Sequence, residues 1–120
     1  MRMAQTILFV EDVPRMQAFY QGALGLAVLS EEPGWVQLDA GGVVFALHAI
    51  RPGPTSKRTE PPAERVDAST KLCFHVEDIE AARAALVAAG TRMRQVNRYG
   101  DIAFCDGIDP EGNIFQITTR

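Results

Sequence analysis

The chain has 120 residues, of which 47% are hydrophobic and 22% charged, and its formal net charge is −3. That length suits one ordinary domain that buries a core without disulfides or metals, and the composition excludes a disordered chain. The mild negative charge argues against nucleic acid or an acidic membrane surface as a partner, and no apolar stretch approaches the roughly 20 residues that span a bilayer.

The elements fall in a readable order. Thr6 to Val10 is a short apolar run, a predicted strand. Asp12 is placed to cap a helix, because its carboxylate accepts from free first-turn amides. Pro14 fits early in that helix, where a missing N–H is harmless. Met16, Phe19, Tyr20, Ala23 and Leu24 recur at helical spacing, and Gly22 or Gly25 can end the helix. Three predicted strands follow, Leu26 to Glu31, Trp35 to Ala40 and Val43 to Ala49, with Pro33-Gly34 and Gly41-Gly42 as turns. Residues 51–69 hold four of the seven prolines and show no periodicity, which predicts a linker.

The pattern then repeats. Leu72 to Val76 is a strand, Asp78 a cap, and Ile79 to Ala89 an alanine-rich helix that stops at Gly90. Met93 to Tyr99, Ile102 to Ile108 and Ile114 to Thr119 are the next strands. Gly100-Asp101 and Asp109 to Asn113 make the turns between them. The triplet Val-Glu-Asp stands at both strand-to-helix junctions, at 10–12 and again at 76–78. The predicted fold is α+β, one domain over 1–120 with two βαβββ modules, at 4–50 and 70–120.

Cys73 and Cys105 lack metal-binding or redox spacing, which suits a reducing compartment. Met1 to Gln5 is short and polar, unlike the start of a secretory leader. Both features predict a cytoplasmic protein.

Three segments carry a family resemblance. They are Val10-Glu-Asp-Val-Pro14 running into Ala18-Phe-Tyr20 and Leu24-Gly-Leu26, Phe74-His-Val-Glu-Asp-Ile79, and Asp109-Pro-Glu-Gly-Asn-Ile-Phe-Gln116. In these the chain resembles the vicinal oxygen chelate superfamily, which includes glyoxalase I, extradiol dioxygenases and the bleomycin and fosfomycin resistance proteins. The resemblance implies a curved mixed sheet with a central cup and a homodimer. It also implies that each helix covers one sheet face while the other face lines the cup.

Strand alternation then sorts the residues. Leu8, Val10, Val43, Phe45, Leu47, Leu72, Phe74, Val76, Phe115 and Ile117 form an apolar set for the helix side. The opposite parity offers Gln5, Phe9, His48, Lys71, Cys73, His75 and Gln116 as ligand-binding residues, a mixed lining typical of small-molecule sites. The bland alternative is a solvated sheet face.

Metal-dependent members of the superfamily carry a ligand on each of four strands. The aligned positions here are Gln5, Ala46, Lys71 and Gln116. Ala46 has no donor atom, and an ammonium has no lone pair to give. No cofactor is therefore predicted. A displaced divalent site built from Gln5, His48, His75 and Gln116 is the lesser alternative.

Lys71 reads either as an anion-binding charge or as a lysine reaching solvent. Cys73 reads as a small buried filler. Trp35 and Tyr99 are candidate walls of the cup, and Arg94 with Arg98 a pair on one strand face.

Two functions remain open. The first is a metal-independent small-molecule-binding protein of the drug-sequestering, bleomycin-resistance-like type. The second is a glyoxalase-like lyase or isomerase acting on a small anionic substrate, using a displaced metal or Lys71 with a histidine. Whether the chain is an enzyme is undecided by the sequence, and the predicted partners are a small molecule and a second copy of the chain.

Overall fold

Each helix starts where a carboxylate can satisfy its first free amides. In the computed structural model, which describes residues 1–50, 64–65 and 68–120, helix α1 spans Val13–Gly22. Asp12 accepts from the Arg15 amide at 3.0 Å, and Pro14 lies in the first turn. Helix α2 spans Ile79–Ala88, and Asp78 Oδ1 accepts from the amides of Glu80 and Ala81, both at 3.0 Å. Such caps contribute about 1 kcal/mol each. Gly90 then takes φ +86°, the left-handed turn that closes the helix, and the Thr91 amide bonds the Leu86 carbonyl at 2.9 Å.

The chain divides into two compact units, Met1–Arg58 and Thr59–Arg120. Unit 1 holds strands β1 (Gln5–Val10), β2 (Ala27–Glu32), β3 (Trp35–Asp39) and β4 (Val44–Ala49), in the order β1-β4-β3-β2. Unit 2 holds β5 (Leu72–His75), β6 (Arg92–Met93), β7 (Asn97–Tyr99), β8 (Ile102–Ile108) and β9 (Ile114–Thr118), in the order β5-β9-β8-β6, with β7 also on β8. The first and last strands of each unit pair in parallel and the other pairs are antiparallel. The fold is α+β, built of two βαβββ modules.

In each unit the helix packs on the apolar sheet face. Val13, Met16 and Tyr20 of α1 are buried together with Val10, Val36, Leu38, Phe45 and Leu47. The Tyr20 ring meets Phe45 edge-on, with centroids 4.9 Å apart. In unit 2, Ile79 and Leu86 are buried with Ala103, Cys105, Phe115 and Ile117. Val43 departs from its expected place on the helix side. It is exposed and precedes β4, because the turn ends there with the Ala40 amide bonded to the Val43 carbonyl at 2.9 Å.

The expected strand from Met93 to Tyr99 is broken into β6 and β7. Met93 faces Gly107 but Asn97 faces Phe104, so one extra residue sits on the first strand. That is a β-bulge, which shifts every later side chain to the other face. Unit 1 has the same device at the same place. Val28 faces Leu38 and Ser30 faces Gln37, leaving Leu29 as the extra residue.

The shift corrects the expectation that Arg94 and Arg98 share a face. Arg98 is registered with buried Ala103 and reaches Glu80 on α2 at 3.2 Å. Arg94 lies before the shift and pairs with Glu64 at 2.7 Å. Most of the expected linker, residues 51–69, lies outside the described residues. Arg65 within it is tied to unit 2, where its amide bonds the Gly112 carbonyl at 2.8 Å.

The Asp109 to Asn113 motif builds a turn. Asp109 is almost fully buried, and its Oδ1 accepts from the amides of Glu111 and Asn113, each at 2.9 Å. Its Oδ2 accepts from Asn113 Nδ2 at 2.8 Å. These bonds hold the reversal between β8 and β9 and so fix the register of both strands.

Gly107 sits under the Phe115 ring, its cross-strand partner, and beside Met93 Sδ; an added Cβ would fall inside contact distance of both. Gly107→Ala should lower stability by about 1–3 kcal/mol, as overpacked cores do. Urea denaturation measures this, and an unchanged midpoint would mean that ring and thioether move aside freely.

Candidate functional site

The sheet face of unit 2 turned away from α2 carries the polar residues of interest. Alternation along β8 sends Ala103 and Cys105 into the core and leaves Ile102, Phe104 and Asp106 on the open side. Gln116 and Thr118 of β9 share that side, as do Cys73 and His75 of β5, which are registered with them. The bulge brings Tyr99 to the same face, opposite Ile102. Together Cys73, His75, Tyr99, Phe104, Gln116 and Thr118, with Ile102 and Arg120, line a groove of about 620 Å³. Small-molecule pockets commonly span roughly 300–1,000 Å³ and combine apolar walls with a few polar groups.

One carboxylate organises the polar end of this face. Lys71 Nζ lies 3.1 Å from both oxygens of Asp106, and Gln116 Nε2 donates to Oδ1 at 3.0 Å. Gln116 Oε1 in turn accepts from Cys73 Sγ at 3.7 Å. Lys71, read from the sequence either as an anion-binding charge or as a lysine reaching solvent, is ion-paired with Asp106 at 3.1 Å. The side chains are 40% and 19% exposed, so the pair sits in partly wet surroundings and contributes modestly to stability. Asp106 is the residue that sequence reasoning missed. A signal for it existed, since it is the one charged residue in the otherwise apolar strand Ile102 to Ile108.

At the other end of the groove, His75 Nδ1 lies 3.2 Å from the Arg120 carbonyl, and the Arg120 amide donates to Thr118 Oγ1 at 3.2 Å. Tyr99, a candidate wall, is strongly exposed and lines the groove. Cys73 is exposed, which corrects its reading as a buried filler. The cause is its place on β5, the edge strand of this sheet. The second thiol behaves oppositely. Cys105 is buried, and burial pushes its pKa above the ordinary thiol value, against the opposing pull of Arg83.

Gln5, Phe9 and His48 belong to unit 1. Gln37 Nε2 donates to Gln5 Oε1 at 3.1 Å, and Ser30 Oγ donates to Gln37 Oε1 at 2.9 Å. The His48 ring lies between Phe9 and Trp35, with centroids 5.4 and 5.1 Å away. The Trp35 ring, the other candidate wall, is thus a neighbour of His48.

Strand register makes the two units comparable position by position. Gln5 corresponds to Lys71, Ile7 to Cys73, Gln37 to Asp106 and Ala46 to Gln116. The same face thus carries a neutral amide pair in unit 1 and an ion pair in unit 2.

The four positions aligned with a metal set do not fit a divalent ion. Ala46 is buried and offers no donor, Lys71 is an ammonium bound to Asp106, and Gln116 is already shared by Asp106 and Cys73. The displaced alternative fares no better within unit 1. Gln5 and His48 stand on opposite ends of the paired strands β1 and β4, four residues apart in register, or roughly 13 Å. Among the described residues no group of three or more His, Cys, Asp or Glu side chains could hold a metal ion.

Residues 5–118 match the family model described as a glyoxalase-like domain. The chain belongs to that family. It is thereby a member of the vicinal oxygen chelate superfamily. Solved structures agree on the fold. A protein of unknown function from Agrobacterium tumefaciens is 25% identical, with a TM-score of 0.75, covering 98% of this chain and 93% of that one. The fosfomycin resistance protein FosX from Mesorhizobium loti is 13% identical, with a TM-score of 0.72, covering 99% and 92%. A lactoylglutathione lyase from Agrobacterium tumefaciens is 18% identical, with a TM-score of 0.73, covering 98% and 92%. No curated protein sequence matches the chain. Among the described residues no helix is long and apolar enough to cross a membrane.

The contrast between the thiols is open to measurement. A thiol-reactive probe at pH 8 should label Cys73 in the native glyoxalase-like protein and reach Cys105 only after denaturation. Equal labelling of both by intact mass would contradict the burial of Cys105.

Proposed function

We propose that this glyoxalase-like protein binds a small, flat, polar-aromatic molecule on the open face of unit 2, and does so without a divalent metal. The groove carries this proposal. Tyr99, Ile102 and Phe104 give it an apolar wall, while Gln116 and Cys73 at one end and His75 and Thr118 at the other supply polar contacts. Sequestration of a drug-like ligand suits such a lining. The donor-poor metal positions favour it over metal-assisted chemistry.

A titration with phenol, which stays neutral at pH 7, in buffer containing EDTA tests the proposal. Saturable NMR shifts should cluster at Tyr99, Phe104 and Gln116, and Phe104→Glu should weaken them by about tenfold or more. Binding that appears only on adding nickel or zinc would overturn it.

A second reading is supported by His75. A bond from Nδ1–H to the Arg120 carbonyl would leave Nε2 as an acid–base group at the groove, which suits a lyase or isomerase. Formation of S-lactoylglutathione that is lost in His75→Ala would favour this reading.

A homodimer belongs to the same proposal. Within its own unit each sheet ends on edge strands, β1 and β2 in one, β5 and β6 in the other, and a second copy could cover such edges. Sedimentation should give about twice the 13.1 kDa chain mass, and a monomer at high concentration would remove that part.

A further inference from the structure

We infer that Asp106 is a built-in counter-ion that closes Lys71 to anions and fixes Gln116 as a hydrogen-bond acceptor. The ligand end lying against Gln116 is then a neutral or cationic hydrogen-bond donor. This role presupposes that the open face of unit 2 receives the ligand.

Three observations support it. First, both Asp106 oxygens stand 3.1 Å from Lys71 Nζ, so the carboxylate fills the place a ligand anion would take. Second, an ionised carboxylate only accepts hydrogen bonds, so the Gln116 atom facing it is the NH₂ group, at 3.0 Å. That orientation turns Gln116 Oε1 towards Cys73, on the groove side. Third, the corresponding positions in unit 1 are neutral, with Gln37 donating to Gln5. The charge pair is thus a feature of unit 2 and not a requirement of the fold.

The chemical consequence is selective. An ammonium, phenol or amide N–H approaching Gln116 meets an acceptor with a carboxylate behind it. A carboxylate or phosphate meets the same groups as repulsion, and Lys71 cannot compensate while Asp106 holds it.

Benzylamine and benzoate are matched probes for this selectivity, and NMR titration reads both. The native protein should bind benzylamine at least about fivefold more tightly than benzoate. Asp106→Asn should bring the two together or reverse them, and Lys71→Met added to it should remove the benzoate gain. Lys71→Met alone keeps the carboxylate and should still reject benzoate. It covers the case in which Asp106→Asn does not fold. Benzoate binding to the native protein as tightly as benzylamine would overturn the counter-ion role.

Inorganic phosphate separates this role from the groove itself. Asp106→Asn should bind it with shifts at Lys71, and the native protein should not. That result, without benzylamine binding to either protein, would remove the groove reading and keep the counter-ion role. Equal phosphate binding at Lys71 in both proteins would remove the counter-ion role.

Discussion

A helix seated on one face of a sheet forces a division of labour along every strand. Residues of one parity must be apolar, because they are sealed under the helix with no water to satisfy a polar group. Residues of the other parity are released from that demand. In unit 1 the sealed set is Val10, Val36, Leu38, Phe45 and Leu47 beneath Met16 and Tyr20. In unit 2 it is Ala103, Cys105, Phe115 and Ile117 beneath Ile79 and Leu86. Every residue of chemical interest then lies on the opposite parity, whatever its type.

The bulge after the helix modifies that rule in both units. One extra residue at Leu29 and one between Met93 and Asn97 reverse the faces downstream. In unit 2 this sends Arg98 to the helix, where it finds Glu80, and brings Tyr99 over the groove. The groove wall therefore depends on a local backbone irregularity as much as on composition. Gly107 shows the same dependence, since the Phe115 ring occupies the place where a side chain would stand.

Superfamily membership and chemistry come apart at four positions. The fold is shared with a fosfomycin resistance protein and a lactoylglutathione lyase, yet the aligned metal positions hold Gln5, Ala46, Lys71 and Gln116. An ion pair and its amide partner occupy the polar end of the unit 2 face. Lys71, Asp106 and Gln116 satisfy one another there, so the polar groups of this end are bonded among themselves. Fold likeness alone could not have shown this, because function resides in side chains grafted onto a common frame.

The sequence by itself determined the repeat, both helix caps, the order of elements and the apolar parity. All of these rest on local rules: Asp12 and Asp78 cap within their own turns, and alternation is a property of each strand alone. The turn motif at Asp109 was legible for the same reason, although its buried carboxylate bonds were not. Only the tertiary structure decided what happens between strands. It placed Asp106 against Lys71, 35 residues away in the chain. It exposed Cys73 on an edge, and it separated Arg94 from Arg98 through a bulge. Contacts between distant segments depend on register, and one extra residue in a strand changes every partner beyond it.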